Sequence, residues 1–239
     1  GNLIYIAGGT GSIVGAWYQI MSRTSSTRIV LDRSTGLTTG TGATFNIGGA
    51  LASPGQAAAI AKVAGNTVYV KYNASPFVIT SASTNIAGGC VLGTANTYWV
   101  GYDTVRSMYL TPTNRPTLKL GSGVSSAVIF TGTNNTYFLQ SFICDCNSQA
   151  TSRAVLQSGE TYYVKAINGI WNTTGGIIQD NSNGRSVLCE VANCTLTGGA
   201  GALRYNGLVL YGTVHNNSQA AGTSALSANQ AIGCLAYNN

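Results

Sequence analysis

The sequence predicts an all-β fold, a parallel β-helix with coils of about 22–25 residues, from a repeat in the second half of the chain and a period-two alternation inside each repeat. Written as rows, the repeat runs from Thr136 as TYFLQSFICDCNSQATSRAVLQSGE, from Thr161 as TYYVKAINGIWNTTGGIIQDNSN and from Gly184 as GRSVLCEVANCTLTGGAGALRYN. It continues from Gly207 as GLVLYGTVHNNSQAAGTSALSA and from Asn229 as NQAIGCLAYNN. In this alignment Val164, Val187, Leu210 and Ile232 share one column, Cys189, Gly212 and Cys234 a second, and Asn193, Asn216 and Asn238 a third. The string NSQA recurs, at Asn147 to Ala150 and at Asn217 to Ala220.

Each row opens on a strand, as in Val187-Leu188-Cys189-Glu190-Val191, turns a corner of small residues and adds a second short strand such as Ile177-Ile178. Helical repeats of similar length need Leu, Glu and Lys at 3.6 spacing; these rows carry Gly, Asn, Ser and Thr instead. Stacked coils set equivalent residues about 4.8 Å apart, so aliphatic columns fall inside and Asn columns at turns. One row cannot stand alone. Ordering its backbone costs about 1–2 kcal/mol per residue, and each inward side chain returns only about 1.5–3 kcal/mol, so neighbouring coils and end caps must supply the remainder.

Ahead of the repeat, residues 1–48 read as a β-rich attachment or capping segment, with strands in IYIAGG, AWYQIMS and TRIVLD and a Gly/Thr-rich connector from Ser34 to Ala43. Residues 49–239 read as the β-helix. Ser53-Pro54-Gly55-Gln56 followed by AAAIAKVA and Gly65 predicts the one helix, near 54–64, with Ser as N-cap, Pro in the first turn and Gly as C-cap. A helix just before the first coil is placed to close the open end of the core. The first coils use Thr67-Val68-Tyr69-Val70-Lys71, Phe77-Val78-Ile79, Cys90-Val91-Leu92 and Tyr98-Trp99-Val100. The longest excursion, Asp103 to Pro116, carries Arg106, Met108, Tyr109 and Arg115, and long loops on such arrays commonly make their contacts. Asn239 falls midway through a coil, which predicts an exposed coil end that continues into further sequence or docks on a partner.

Composition narrows the class. The 239 residues are 44% hydrophobic, with 31 Gly and only 8% charged, which fits one elongated, packed β domain rather than a disordered chain. The net charge of +6 comes from 12 basic against 6 acidic residues, a shortage of acids with no basic run, so no nucleic-acid partner is expected. A mildly basic surface suits anionic glycans or an acidic protein lattice. No apolar stretch approaches the length of a membrane helix, and no signal peptide is expected. Cys189 and Cys234, in one column but two coils apart, would stand about 10 Å from each other, beyond the roughly 7 Å a disulfide spans between Cα atoms. Six cysteines therefore read as mostly reduced, buried thiols, as in a protein folded in a cytoplasm.

The layout of lid helix, NTVYVKY, YWVGYDTVRS, RPTLKL and short Asn-rich coils resembles the right-handed, pectin-lyase-like parallel β-helices, and within them the virion β-helix proteins of phage and environmental viruses. The resemblance covers roughly Gly48 to Asn239 and rests on pattern, not on a catalytic signature. It implies a right-handed coil and a place on a tailed-phage particle as tailspike, fibre or capsid decoration. That implies folding in the host cytoplasm, display at the virion surface, capsid or tail proteins as partners, a host-surface polysaccharide as possible ligand, and a trimer as one assembly.

Enzymes on such folds need paired carboxylates or a calcium-binding acid cluster. The chain offers Asp32, Asp103, Asp145, Glu160, Asp180 and Glu190. Asp145 and Glu190 are expected to point to solvent and Glu160 and Asp180 to cap row ends, with no two acids in one column of adjacent coils. His215, the sole histidine, is expected to face outward to solvent, and Cys144-x-Cys146 has no second pair to complete a metal site. The five N-x-S/T strings, at Asn73, Asn134, Asn172, Asn193 and Asn216, follow from the composition. No catalytic residue, metal ligand or cofactor is expected. Contacts are expected from Arg106, Tyr109, Trp171, Tyr211 and His215, because exposed aromatics stack on sugars and protein alike. The expectation is a non-enzymatic virion structural protein; the alternatives are a polysaccharide lyase or glycoside hydrolase, and a secreted bacterial adhesin.

Overall fold

A computed structural model describes residues 3–7, 10, 16–34, 40–47, 67–80, 90–91, 98–106, 112–180, 184–197, 199–220 and 223–239. Two compact units divide the chain, Gly1–Ala52 and Ser53–Asn239.

In the first unit β1 (Leu3–Ala7), β2 (Ala16–Ser25), β3 (Arg28–Leu31) and β4 (Thr44–Ile47) form an antiparallel sheet in the order β3-β2-β1-β4. Alternation buries Ile4 and Tyr18, which are in register across β1 and β2. The tight β2–β3 turn is held by Thr27 N–H donating to Ser25 Oγ at 3.2 Å. β1 to β3 are the strands read from the sequence. β4 is an addition: its TFNI is short and half polar, and only pairing with β1 makes it a strand.

The second unit begins with β5 (Thr67–Lys71), β6 (Phe77–Ile79), β7 (Cys90–Val91), β8 (Tyr98–Tyr102) and β9 (Thr117–Leu120). The next coils carry β10 (Val128–Gln140), β11 (Ile143–Asp145), β12 (Arg153–Tyr162), β13 (Lys165–Ile167) and β14 (Ile170–Trp171). Then follow β15 (Gly175–Asp180), β16 (Arg185–Val187), β17 (Glu190–Ala192) and β18 (Thr195–Leu196). The last coils hold β19 (Ala200–Leu210), β20 (Thr213–His215), β21 (Ser218–Gln219), β22 (Ser224–Ile232) and β23 (Leu235–Tyr237). Every strand pair in this unit is parallel. Among the described residues they make a nine-stranded sheet of the long strands, a seven-stranded sheet β23-β20-β17-β13-β11-β9-β6 and a three-stranded sheet β14-β18-β21. The unit is a parallel β-solenoid. Its regular part makes about four turns: Ile143 pairs with Lys165, Lys165 with Glu190, Glu190 with Thr213 and Thr213 with Leu235, steps of 22, 25, 23 and 22 residues.

Inward columns build the core. Cys144, Ala166, Val191 and Val214 stack in register on the seven-stranded sheet, and Phe130, Val155, Ile178 and Leu203 on the nine-stranded one, all 0% exposed. Each side chain meets its equivalents above and below, so a dry column forms without any residue larger than the gap. Phe130 also packs edge-on against Trp99 and Phe142, at 6.1 and 5.0 Å between ring centroids.

Two left-handed corners recur in the coils. Between the long-strand sheet and the seven-stranded sheet lie Ser141, Tyr163, Leu188, Tyr211 and Gly233, with φ from 52° to 63°. At the far end of the seven-stranded sheet lie Asn168, Asn193, Asn216 and Asn238, with φ from 52° to 57°. Left-handed backbone costs most L-residues about 1–2 kcal/mol, and Asn tolerates it best, which explains the asparagine column. The cysteine column also holds: Cys189, Gly212 and Cys234 each follow a first-corner residue.

The column that started with Val164 is corrected. Val187, Leu210 and Ile232 are in register with Tyr162, whereas Val164 lies two residues on, next after Tyr163 as Cys189 is next after Leu188. The cause is the step of 25 residues between Lys165 and Glu190, two longer than the row length used in the alignment. No helix lies among the described residues; the helix expected near 54–64 falls outside them, as does Tyr109. Among those residues no helix is long and apolar enough to cross a membrane.

Candidate functional site

The outer face of the seven-stranded sheet carries two ionic groups. Because side chains alternate, Thr213 and His215 point away from the core that Val214 enters, and Lys165 and Glu190, in register with Thr213, share that outer face. Glu190 Oε1 lies 2.7 Å from Lys165 Nζ and 2.9 Å from His215 Nε2. His215 in turn stacks on Tyr237 of the next coil, 5.0 Å between ring centroids with 7° between planes. Burial pushes the Glu190 carboxyl upward, but the hydrogen bonds and charges of Lys165 and His215 outweigh it and leave its pKa below the ordinary value.

A second ionic group lies earlier on the same sheet. Asp145 Oδ2 is 3.3 Å from Lys119 Nζ, directly opposite on β9, while Oδ1 accepts from Asn147 N–H at 2.8 Å and Asn168 Nδ2 at 2.9 Å. Asp145 is therefore not a solvent-facing acid; it is 8% exposed and ties three coils together. Glu190 does face outward as expected, its side chain 27% exposed, but it is half-covered by Lys165 and His215. Asp145 departs from the expectation because parallel stacking lets an outward acid be covered by a cation and an amide one coil away.

Glu160 does not cap a row end. It sits within β12, pairs with Arg185 one coil on and accepts from Tyr162 Oη at 2.8 Å. Asp180 does act as a cap: almost fully buried, it accepts from Gly159 N–H at 3.1 Å and Gly184 N–H at 2.7 Å. The remaining acids lie elsewhere, Asp32 with Arg33 and the Gln19 N–H, Asp103 with Asn114 Nδ2 at 2.9 Å. These contacts tie each carboxylate to a neighbouring strand, side chain or turn.

The five residues expected to make contacts have different fates. Arg106 is exposed, donating to Tyr102 Oη at 3.3 Å with its guanidinium over the Tyr102 ring. Tyr109 lies outside the described residues. Trp171 is buried to 8% exposure on β14, beneath Arg153. Tyr211 is 56% exposed at a left-handed corner, where its ring lies against Gly233. His215 faces outward as expected but is not open to solvent; its side chain is 16% exposed, because Glu190 and Tyr237 cover it. The grouping of Lys165, Glu190, His215 and Tyr237 was not anticipated. Its signal was available: aligned with the true 25-residue step, Lys165 and Glu190 fall in one column.

No family model, curated protein or solved structure matches the chain.

Cys144, Cys146, Cys189, Cys194 and Cys234 are free, the first four buried. Burial pushes the thiols of Cys144, Cys146 and Cys189 up and that of Cys194 to about 12, which favours the neutral thiol over the thiolate at these four buried positions. Among the described residues no three His, Cys, Asp or Glu side chains gather as metal ligands.

Proposed function

We propose that the chain is a non-enzymatic structural protein of a tailed-phage virion, a right-handed, pectin-lyase-like β-helix acting as tailspike, fibre or capsid decoration. One observation carries the non-enzymatic part of the reading: all six carboxylates are engaged with cations, side-chain amides or backbone N–H groups. A solenoid of dry columns with no long helical segment among the described residues supports rigid display. Its job in this reading is attachment to neighbouring virion subunits and, through exposed side chains such as Tyr211 and Arg106, to a host-surface glycan, with a homotrimer as one assembly. The protein folds in the host cytoplasm and ends on the particle.

Gold-labelled antibody raised against the purified chain tests this on particles purified from cultures expressing the gene. Label on the capsid or tail of tailed particles is the expected result. Label confined to cell surfaces or to the soluble fraction would replace the virion reading by the adhesin or a free enzyme.

A further inference from the structure

The two left-handed corners of the solenoid are filled differently. One holds Asn168, Asn193, Asn216 and Asn238, the residue type that tolerates this backbone best. The other holds Tyr163, Leu188 and Tyr211, which a left-handed φ disfavours, and Leu188 is 43% and Tyr211 56% exposed. Gly233 turns the same corner with no side chain at all, so the turn itself does not require large apolar residues. Each corner N–H is held by the next coil: Tyr163 donates to Val187 O at 3.0 Å, Leu188 to Leu210 O at 2.9 Å and Tyr211 to Ile232 O at 2.8 Å. The residue before each corner widens the surface. Thr161, Ser186 and Val209 are buried, so by alternation Tyr162, Val187 and Leu210 point outward, in register with one another and with Ile232. The two columns make an apolar ridge along the solenoid, bounded at its first coil by Arg115, whose Nη1 donates to Tyr163 O at 2.7 Å.

Charges flank this ridge, and their order selects the partner. On one flank, three residues before the corner, successive coils carry Glu160, Arg185, Leu208 and Gln230. On the other, two residues after it, they carry Lys165, Glu190, Thr213 and Leu235. Within the chain the charges pair from coil to coil, Glu160 with Arg185 and Lys165 with Glu190. Across the ridge each charged coil also holds one carboxylate and one cation, Glu160 with Lys165 in the first and Arg185 with Glu190 in the second. A second copy laid ridge to ridge, with its coils running the same way, sets each flank against the opposite flank of its neighbour. Glu160 then meets Lys165 of the second copy and Arg185 meets Glu190 of the second copy, while Leu208 and Gln230 meet uncharged residues. Coils running the opposite way would set Glu160 and Arg185 against Gln230 and Leu208, which offer no opposite charge for the water displaced. A surface with the same coil spacing of about 4.8 Å keeps these levels aligned, and a copy of the chain has that spacing.

We propose that this corner ridge is the contact of the chain with a second copy of itself, side by side and in parallel register. It gives the self-assembly named under the proposed function a surface, and it assigns Tyr211 to the neighbouring copy rather than to a glycan. It does not depend on the chain belonging to a virion.

Sedimentation equilibrium of the full chain over a range of concentrations, with Tm read for every variant, tests it. Reversible self-association is expected. Leu188→Asn combined with Tyr211→Asn suits the left-handed backbone while stripping the ridge, so association should weaken at least about tenfold with no loss of Tm. Lys165→Glu combined with Glu190→Lys keeps that pair opposite within the chain but sets like charges against the second copy. Association should again fall at least about tenfold, and it should return when Glu160→Arg and Arg185→Glu are added. A chain that stays monomeric up to about 1 mM, an Asn double variant that associates as well as the natural chain, or an exchange of one flank without effect overturns the proposal. A cell-surface location of the chain, which overturns the virion reading, leaves this contact standing.

Discussion

The sheet of Gly1–Ala52 and the solenoid of Ser53–Asn239 are both built of alternating strands, yet they bury side chains to very different depths. In the first, Met21, Val30 and Phe45 remain 62%, 44% and 61% exposed, and Ile4 and Tyr18 are its buried apolar side chains among the described residues. In the second, whole columns such as Cys144, Ala166, Val191 and Val214 are 0% exposed. An antiparallel sheet closes a side chain in from one face and its cross-strand neighbours. A solenoid adds the same residue of the coil before and the coil after, together with the opposite sheet. Depth of burial here comes from stacking, since the strands that carry this column are only three residues long.

The contrast should be largest for apolar truncation. Phe130→Ala in the solenoid removes a ring wedged between Trp99 and Phe142 and should cost about 3–5 kcal/mol in urea denaturation, because stacked coils cannot collapse into the gap. Val30→Ala, at a strand position already open to water, should change stability by no more than about 0.5 kcal/mol. Equal costs would show that the two regions are packed alike.

Carboxylates give the next difference. Asp180→Asn leaves the Gly159 and Gly184 N–H groups competing for one acceptor oxygen in a buried turn and should cost about 1–3 kcal/mol by the same assay. Asp32→Asn, where the carboxylate pairs with an Arg33 side chain that is half exposed, should cost less than about 1 kcal/mol.

On the outer face Glu190→Gln should cost about 0.2–1 kcal/mol at neutral pH. It should also remove part of the acid sensitivity. The Glu190 pKa is lower in the fold than its ordinary 4.5, so its contribution is complete above about pH 4.5 and is lost as pH falls through the lower, folded value. Stability curves of the natural chain and Glu190→Gln should therefore converge below pH 4.5, and a constant offset down to pH 2 would break the assignment.

Much of the solenoid was legible because stacking repeats its demands at every coil. The Asn193, Asn216, Asn238 column reads as turns because left-handed backbone selects Asn, and the Cys189, Gly212, Cys234 column reads as interior because it follows the corner; at Gly212 itself a Cβ would press on Val209 and Leu203 at 2.8 and 2.9 Å. The coil holding Val164 was misread by two residues, since the extra length lies between Trp171 and Arg185 in Gly, Asn and Ser that leave no hydrophobic mark. That slip hid the Lys165–Glu190 pair. The Arg153–Trp171 contact was not legible at all, because its two members lie on different strands, β12 and β14, and the register partners Val128 and Leu196 do not repeat them.

The central claim, a scaffold whose carboxylates hold coils instead of cleaving a substrate, is tested most directly by incubating the purified chain with acidic host-surface polysaccharide and sizing the polymer. Unchanged chain length and no new reducing ends, for the natural sequence and for Asp180→Asn and Glu190→Gln alike, is the expected result. Shortened chains that no longer form with either variant would contradict it.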